Sequence, residues 1–422
     1  MNQNIYKTYC QILKEELVPA MGCTEPIALA YCASKCKDLI DDNIKEIKVE
    51  VSGNIIKNVK SVIVPNTGGL KGIEASVVAG IVAGQSDKIL EVISIVTEKQ
   101  KEEMRHLLDT IPITVKALDS SFALDIIVTI LSDSHKAKVQ ITGYHTHIIL
   151  IAKDGEILYQ DGVISSQNDA LADRSLLNVK DIYEFANIVQ IDDINDIISR
   201  QIEYNMSIAK EGLKNNWGAN IGSTLLKVYG DDVKTKAKAY AAAGSDARMS
   251  GCEMPVVINS GSGNQGITAS LPVIIYALEN NVCDDLLYRS LVISNLCTIH
   301  QKTGIGRLSA YCGAVSAGVG AGCGIAYLLG GDYKTIAHTM VNALAIVSGI
   351  VCDGAKPSCA AKIASSVDAG ILGYYMYQNG YEFKGGDGIV SKGVENTIKN
   401  ISRLGSQGMK ETDKEIIKIM CD

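Results

Sequence analysis

The spacing of hydrophobic and polar residues divides the chain near residue 166. Before this point, helical spacing over 5–17, 25–39 and 70–84 is mixed with segments in which hydrophobic and polar residues alternate. Alternation begins in EIKVEVSG and NVKSVIVPNTGG and resumes from ITVKAL to EILYQDG, where turn residues such as Lys-Asp-Gly separate the segments. The pattern predicts strands at both places, and the later strands are expected to form an antiparallel meander.

The strand signal nearly disappears after this point. Residues 168–215 predict connecting helices, and the chain from residue 220 onward has the pattern of successive helices. The sequence therefore predicts an α+β fold. We expect a mixed α/β domain with antiparallel strands over residues 1–190, followed by an all-α domain over residues 191–422.

Two stretches of the second half, 308–331 and 333–351, carry almost no charge and are long enough to span a membrane. The first is rich in glycine and the second contains Lys334, His338 and Asn342, which all weaken insertion into a bilayer. We therefore expect buried helices and no membrane contact, with a membrane protein as the competing interpretation.

The amino-acid composition limits the classes of function that this chain can have. The chain carries 40 Lys and Arg against 47 Asp and Glu, so it lacks the basic surface that nucleic-acid binding requires, and a small-molecule partner or none is expected. The first residues, MNQNIYKTYC, show neither an apolar run nor a cleavage signature, which predicts a cytoplasmic protein. Its 12 cysteines are then no disulfide framework, and each is a buried apolar residue, a metal ligand or a reactive thiol.

The most conspicuous motif is Gly261-x-Gly263-x-x-Gly266, which has the spacing of a dinucleotide-binding loop. A dinucleotide fold needs a second parallel strand after the helix, whereas the next segment, DDLLYRSLVISNLCTIHQKTG, has at least as strong a helical pattern. We therefore expect no dinucleotide. The loop is either a plain turn or a place where backbone N–H groups hold a carboxylate.

A second loop, VPNTGGLKG at 64–72, is expected to end a strand and begin a helix. Its backbone amides and Lys71 would attract an anion, although the same residues also suit a tight turn.

A third loop is GCTEP, in which Thr24 suits a helix N-cap and Pro26 its first turn. Cys23 then lies at a helix N-terminus, where the dipole favours the thiolate, so Cys23 is either a base or nucleophile or a half-buried bystander.

The helical half contains a second group of cysteines. Cys352 and Cys359 lie in the loop CDGAKPSC, and Cys312 begins the preceding apolar helix, 40 residues before Cys352. Two helices and a turn would return the chain, so the three thiols can meet at one end of a bundle. Three thiolates with one open position suit an iron–sulfur cluster, whereas a zinc site more often shows C-x2-C or histidine partners.

The other candidates are weaker. His145 and His147 alternate on one predicted strand, so one of them is expected to reach a site, and we choose His147. Cys32 and Cys36 share a helix face but lack further ligands, which favours core packing. Together with them, the cysteines expected to serve only in packing are Cys10, Cys252, Cys283, Cys297 and Cys323.

Four motifs in this order, GCTEP, PNTGGLKG, SGSGNQG and Cys312 with CDGAKPSC, resemble the L-cysteine desulfidase family over essentially the whole chain. This family is related to the bacterial iron–sulfur L-serine dehydratases. The resemblance implies a cytoplasmic, oxygen-labile enzyme with a [4Fe–4S] cluster and no pyridoxal phosphate. Its reaction would convert L-cysteine to pyruvate, ammonia and hydrogen sulfide. Serine dehydratases carry a Ser/His-rich motif at the position of GCTEP, which favours cysteine over serine.

The resemblance also implies roles for residues. The cluster ligands fall on Cys312, Cys352 and Cys359, and the proposed base falls on Cys23. The active site is expected between the two halves, with the substrate-binding residues Thr24, Glu25, Asn66, Thr67, Gly68, Lys71, His147, Ser262, Gly263 and Asn264. In related serine dehydratases a C-terminal cysteine can occupy the open iron, so Cys421 is a candidate for that role, with a disordered end as the alternative.

Three competing functions stay open. The same chemistry could act on L-serine or L-threonine. The apolar stretches could anchor a membrane protein, or the fold could serve a non-catalytic binding protein. The sequence does not decide the oligomeric state, and a homo-oligomer is one outcome.

Overall fold

The computed structural model describes residues 1–161 and 171–421, apart from the side chain of Cys421. It confirms the α+β class. Its strands are β1 (Pro19–Met21), β2 (Ile44–Ser52), β3 (Ile113–Leu118), β4 (Asp125–Ser132), β5 (Lys136–Thr142), β6 (Ile148–Lys153), β7 (Glu156–Gln160) and β8 (Pro255–Val257). Its α-helices are α1 (Gln3–Glu16), α2 (Thr24–Lys37), α3 (Gly53–Val59), α4 (Gly72–Ala83), α5 (Glu98–Thr110), α6 (Val179–Ile188), α7 (Asn195–Lys214), α8 (Ile221–Tyr229), α9 (Val233–Met249), α10 (Gly263–Glu279), α11 (Asp284–Ile305), α12 (Gly313–Leu328), α13 (Tyr333–Val347), α14 (Cys359–Gln378), α15 (Val394–Arg403) and α16 (Lys410–Cys421).

The larger sheet has the strand order β3-β2-β4-β5-β6-β7. Strands β4 to β7 pair antiparallel in chain order, as the alternating pattern predicted. The expectation that ITVKAL joins this meander is wrong, because it forms β3, which pairs parallel to β2 at the edge of the sheet, with Val115 opposite Val49. The helices between β2 and β3 carry the chain back across the sheet, so the two strands run in the same direction. Helix α2 packs on β4 and β5, and the Cys32 thiol lies 3.4 Å from the carbonyl oxygen of Val139. The sheet therefore supports the helix that begins after Cys23.

The strand predicted for NVKSVIVPNTGG, residues 58–69, is wrong, because its first two residues end helix α3 (Gly53–Val59) and most of the others form turns. In the segment that follows, Ile63 pairs with Lys71 as an isolated bridge. Ile55 and Val59 are both fully buried, and their four-residue spacing places them on one helix face. NVKSVIV alternates over too few residues to specify a strand, and packing of α3 against α2 and α16 determined the outcome.

The second half is a helical bundle in which α12 packs against α10, α11, α13 and α14. A Cβ at Gly318 would lie 2.4 Å from the backbone of Ser366, and one at Gly320 would lie 2.2 Å from Thr298 Oγ1. These glycines allow the neighbouring helices to approach closely, so the apolar stretch at 308–331 contains a buried helix of the bundle. Across residues 1–161 and 171–421, no helix combines the length and apolar character needed to cross a bilayer.

The dinucleotide motif has a packing role. Its last glycine, Gly266, lets α10 lie on β8, since a Cβ there would be 2.0 Å from the carbonyl oxygen of Val257. The chain continues into α11, where a dinucleotide-binding fold needs a parallel strand. The expectation against a dinucleotide-binding fold is therefore confirmed.

The two halves of the chain are also linked by non-local contacts. Strand β1 pairs antiparallel with β8, with Ala20 opposite Val256. Helix α16 returns to α3, where Lys57 forms an ion pair with Asp413. These contacts cross residue 190, so the division into domains at 1–190 and 191–422 stays a prediction.

Candidate functional site

Four helix N-termini surround one cavity at the junction of the two halves. Its lining includes Cys23 before α2, Ser262 before α10, Cys312 before α12 and Cys359 at the start of α14. The cavity has an empty volume of about 710 Å³. None of these four helices has a side-chain hydrogen bond at its N-cap. The positive ends of the four helix dipoles favour anionic ligands in this cavity.

The structure brings Cys312, Cys352 and Cys359 to this cavity through a short backbone pairing. The Cys352 amide donates to the Ala310 carbonyl at 2.7 Å, and the Cys312 amide donates to that of Ile350 at 3.2 Å. The loop after Cys352 then leads directly into α14. Burial, and after it the charges of the neighbouring Cys352 and Cys359, raise the pKa of Cys312 to about 12, as expected for three thiols that share one site.

The donor set of these three cysteines is compatible with a soft metal. They are free thiols from two separate segments, and all line one cavity. In the part of the chain that the structure describes, no group of three Cys, His, Asp or Glu side chains is arranged to hold one metal ion. Thiolate sulfur suits both iron–sulfur clusters and zinc, so the chemistry of the donors fits an iron–sulfur cluster without excluding zinc.

Cys23 belongs to a buried hydrogen-bond network centred on Glu25. The Cys23 thiol donates to Glu25 Oε2 at 3.1 Å, and Asn58 Nδ2 donates to Oε1 at 3.1 Å. Thr24 Oγ1 lies 2.8 Å from the carbonyl oxygen of Gly261, which ties this segment to the loop before α10. Burial and the charge of Glu25 raise the pKa of Cys23 well above its ordinary value. The expectation that the helix dipole lowers this pKa is therefore wrong, because burial and a neighbouring carboxylate outweigh the dipole.

The histidine near this network is His145, and the choice of His147 is corrected. His147 lies in the turn after β5, where its Nε2 is 2.9 Å from Asp161 Oδ2 and its Nδ1 is 3.1 Å from the carbonyl oxygen of Thr142. His145 is buried, and its Nε2 has no hydrogen-bond partner among the described residues. Burial lowers the pKa of His145 to about 4, with Glu25 acting to raise it. Alternation along a strand could not separate the two, because both lie in the turn.

Replacement of His145 by glutamine is expected to reduce the loss of stability at acid pH. The pKa of His145 is about 4 in the folded protein against 6.5 unfolded, so the unfolded chain binds more protons between these values. The free energy of unfolding should therefore fall as the pH decreases from 6.5 to 4, with about 3 kcal/mol of the fall due to this group. Urea unfolding at several pH values measures the difference between variant and wild type.

The control is His135→Gln, at a more exposed histidine that pairs with Asp154. This variant is expected to keep the acid dependence of the wild type. Equal pH profiles for His145→Gln and wild type would contradict the buried neutral state of His145.

Three cationic side chains line the cavity and were not predicted: Arg248, Lys302 and Arg307. Burial lowers the pKa of Lys302 to about 8, although Cys352 and Cys312 act to raise it. For Arg248 the available signal was a charge in the alanine-rich helix α9, because buried charges require partners. Lys302 lies in the polar last turn of α11 and Arg307 in the loop after it, so neither carried such a signal. Asn58, Gln265 and Tyr311 also line the cavity and carried no comparable signal.

The loop at 64–72 does not line the cavity, which corrects the placement of Asn66, Thr67, Gly68 and Lys71. Asn66 Nδ2 donates to the Ile93 carbonyl at 2.7 Å, and Thr67 Oγ1 donates to that of Val64 at 2.7 Å, so both side chains hold the loop itself. The loop supports the GCTEP segment instead, since a Cβ at Gly22 would lie 2.1 Å from Pro65 Cγ.

Among the remaining predicted residues, Glu25, Ser262 and Asn264 line the cavity, while Thr24 and Gly263 support its wall.

Of the cysteines assigned to packing, Cys283 is exposed at the start of α11, which corrects its assignment to the core. The others are buried: Cys10, Cys32, Cys36, Cys252, Cys297 and Cys323. The side chain of Cys421 lies outside the described residues, so its role as an iron ligand stays a prediction.

Sequence comparisons identify the family of this chain. A sequence model described as the serine dehydratase alpha chain matches residues 87–418, a range that contains Cys312, Cys352 and Cys359. A UPF0597 protein of Desulfitobacterium hafniense (strain Y51) is 61% identical, over 98% of this chain and 96% of its own. UPF0597 proteins of Lachnoclostridium phytofermentans and Treponema denticola are 52% and 47% identical, and cover 99% and 100% of this chain and 100% and 99% of their own. The chain therefore belongs to the serine dehydratase alpha chain family.

Proposed function

We propose that this protein is an iron–sulfur lyase that degrades L-cysteine to pyruvate, ammonia and hydrogen sulfide by β-elimination. Cys312, Cys352 and Cys359 would hold a [4Fe–4S] cluster, and no pyridoxal phosphate would take part. The free thiols of the site require a reducing compartment, so the protein is expected to act in the cytoplasm.

The observation that carries this proposal is the meeting of three free cysteines at one cavity that four uncapped helix N-termini surround. Thiolate ligands and a substrate carboxylate are anions, and the positive ends of helix dipoles stabilise both. Membership of the serine dehydratase alpha chain family supports a lyase reaction and a cluster of this kind.

When bound, the cluster would supply a Lewis-acidic iron that stabilises the departing hydrosulfide. The chain itself must remove the Cα proton, and Cys23 is the proposed acceptor. In the structure the Cys23 thiol donates to Glu25, and burial and the charge of Glu25 hold the proton on sulfur, so Cys23 can act as a base only after this proton has passed to Glu25. Loss of the Cα proton and of hydrosulfide leaves 2-aminoacrylate, which tautomerises to an imine and takes up water to give pyruvate and ammonia.

A second candidate is dehydration of L-serine or L-threonine in the same site. The family match favours this candidate, since its description names serine dehydratase. GCTEP at Gly22–Pro26 supports L-cysteine, because a thiol replaces the Ser/His-rich motif of the serine enzymes. The two reactions differ in the leaving group, so sulfide release separates them.

The test is anaerobic reconstitution with iron and sulfide, followed by assays with L-cysteine, L-serine and L-threonine. We expect close to four irons per chain and sulfide and pyruvate in equal amounts from L-cysteine. Pyruvate from L-serine without sulfide from L-cysteine would select the second candidate. A protein that takes up no iron would contradict both and leave a non-catalytic binding protein.

A further inference from the structure

We propose that Arg248 binds the α-carboxylate of the substrate, and that a free carboxylate is therefore required for binding. This inference rests on the proposed function, because it assigns a residue to the recognition of an amino acid in the same cavity. Arg248 is the last arginine of α9, lines the cavity and is 3% exposed.

Arg248 lacks the counter-ion that a buried guanidinium requires. Its NH1 group donates to Asn264 Oδ1 at 3.1 Å, and its Nε–H has no acceptor among the described residues. Within residues 1–161 and 171–421, no carboxylate forms an ion pair with it. The other arginine of this cavity, Arg307, differs because it pairs with Glu16 at 2.9 Å. A buried charge without a partner is costly, so an anionic ligand is the missing partner of Arg248.

The surroundings of Arg248 are suited to a carboxylate. A Cβ at Gly263 would lie 2.3 Å from Arg248 Nε, so this glycine allows the guanidinium to lie against the first turn of α10. That turn has free N–H groups, because Ser262 provides no side-chain cap. A guanidinium beside a helix N-terminus offers several charge-assisted donors to one carboxylate.

The position of Arg248 also suits the proposed reaction. Its charge acts on both Cys23 and His145, which places it near the proposed base. In an α-amino acid the carboxylate is bonded directly to Cα. A carboxylate held by Arg248 would therefore keep Cα near Cys23, which lines the same cavity and on which the charge of Arg248 acts.

The test measures binding rather than turnover, with two probes that are not α-amino acids. 3-Mercaptopropionate retains the carboxylate and thiol of cysteine, whereas cysteamine retains the amine and thiol. Calorimetry on the anaerobically reconstituted protein should show that Arg248→Met weakens 3-mercaptopropionate about 10- to 100-fold. Cysteamine binding should change less than about 3-fold, and Arg248→Lys should restore part of the affinity for 3-mercaptopropionate.

Two further variants keep the test decisive. Arg307→Met removes an arginine of the same cavity that already has a carboxylate partner, so it should weaken 3-mercaptopropionate less than Arg248→Met does. Gly263→Ala should displace the guanidinium of Arg248 without removing a charge. It takes the place of Arg248→Met in the binding test if that variant does not fold.

Unchanged affinity of Arg248→Met for 3-mercaptopropionate, or an equal loss for both probes, would overturn the assignment. An equal loss of 3-mercaptopropionate affinity in Arg307→Met would also overturn the assignment, since the loss would then reflect the total positive charge of the cavity. If the wild type releases neither sulfide nor pyruvate but binds 3-mercaptopropionate through Arg248, the proposed reaction fails and the carboxylate site stands.

Discussion

Replacement of Cys312 by serine is expected to remove most of the iron from the reconstituted protein and to reduce turnover by more than about 100-fold. Iron in a cluster prefers soft thiolate ligands, and a serine hydroxyl is a hard and weak substitute. Even the outer partners of metal ligands affect metal affinity or activity by about 10- to 100-fold, so loss of a ligand should exceed that. Cys312 is buried, and it lines the same cavity as the other two proposed ligands, Cys352 and Cys359.

The measurements are iron and sulfide content, the visible absorption of the cluster, and sulfide release from L-cysteine. Cys32→Ser is the matched control, because Cys32 is fully buried and its thiol donates to the Val139 carbonyl, a bond that serine can also make. The control is expected to keep both iron and activity. Full iron content in Cys312→Ser would remove Cys312 from the ligand set.

Replacement of Cys23 by alanine is expected to leave the cluster spectrum intact while reducing turnover by about 10²- to 10⁴-fold, the usual contribution of a general base. Cys23 is 3% exposed and its thiol donates to Glu25, so the substitution removes the proposed proton acceptor and keeps the three proposed cluster ligands. Glu25→Gln should share much of the loss, because an amide cannot take the proton of Cys23.

Cys10→Ala is the control, since Cys10 is a buried thiol on α1 that does not line the cavity. It should keep both iron and turnover. A fall in iron content in Cys23→Ala would instead identify Cys23 as a ligand. Normal turnover in Cys23→Ala would assign the base to another group.

Local patterns in the sequence were informative where one periodicity was sustained. The meander from β4 to β7 and the buried helix α12 follow directly from alternation and from glycine-rich apolar spacing. The three cysteines of the bundle were also found from spacing, since helices of known rise return the chain by a predictable distance. The strand predicted for residues 58–69 was wrong because a short alternating run does not specify a strand, and the chain there ends helix α3 and continues in turns.

Electrostatic properties of the site could not be predicted from the sequence. Cys23 was expected to have a lowered pKa from its helix position, whereas burial and Glu25 raise it. His147 was preferred to His145 without knowledge of the turn that buries one and leaves the other beside Asp161. The pKa of a buried group depends on desolvation and on charges distant in sequence, and a local sequence pattern contains no information about either.

The sequence by itself determined the α+β class, most of the helices and strands, and the group of cysteines from which the candidate cluster ligands come. Periodicity, turn residues and spacing act over a few residues, so they can be recognised in the sequence alone. Only the tertiary structure decided that four helix N-termini meet at one cavity, and that Arg248 is buried there without a carboxylate partner among the described residues. Both depend on β1 pairing with β8 and on contacts between distant helices, and burial and charge are properties of that packing.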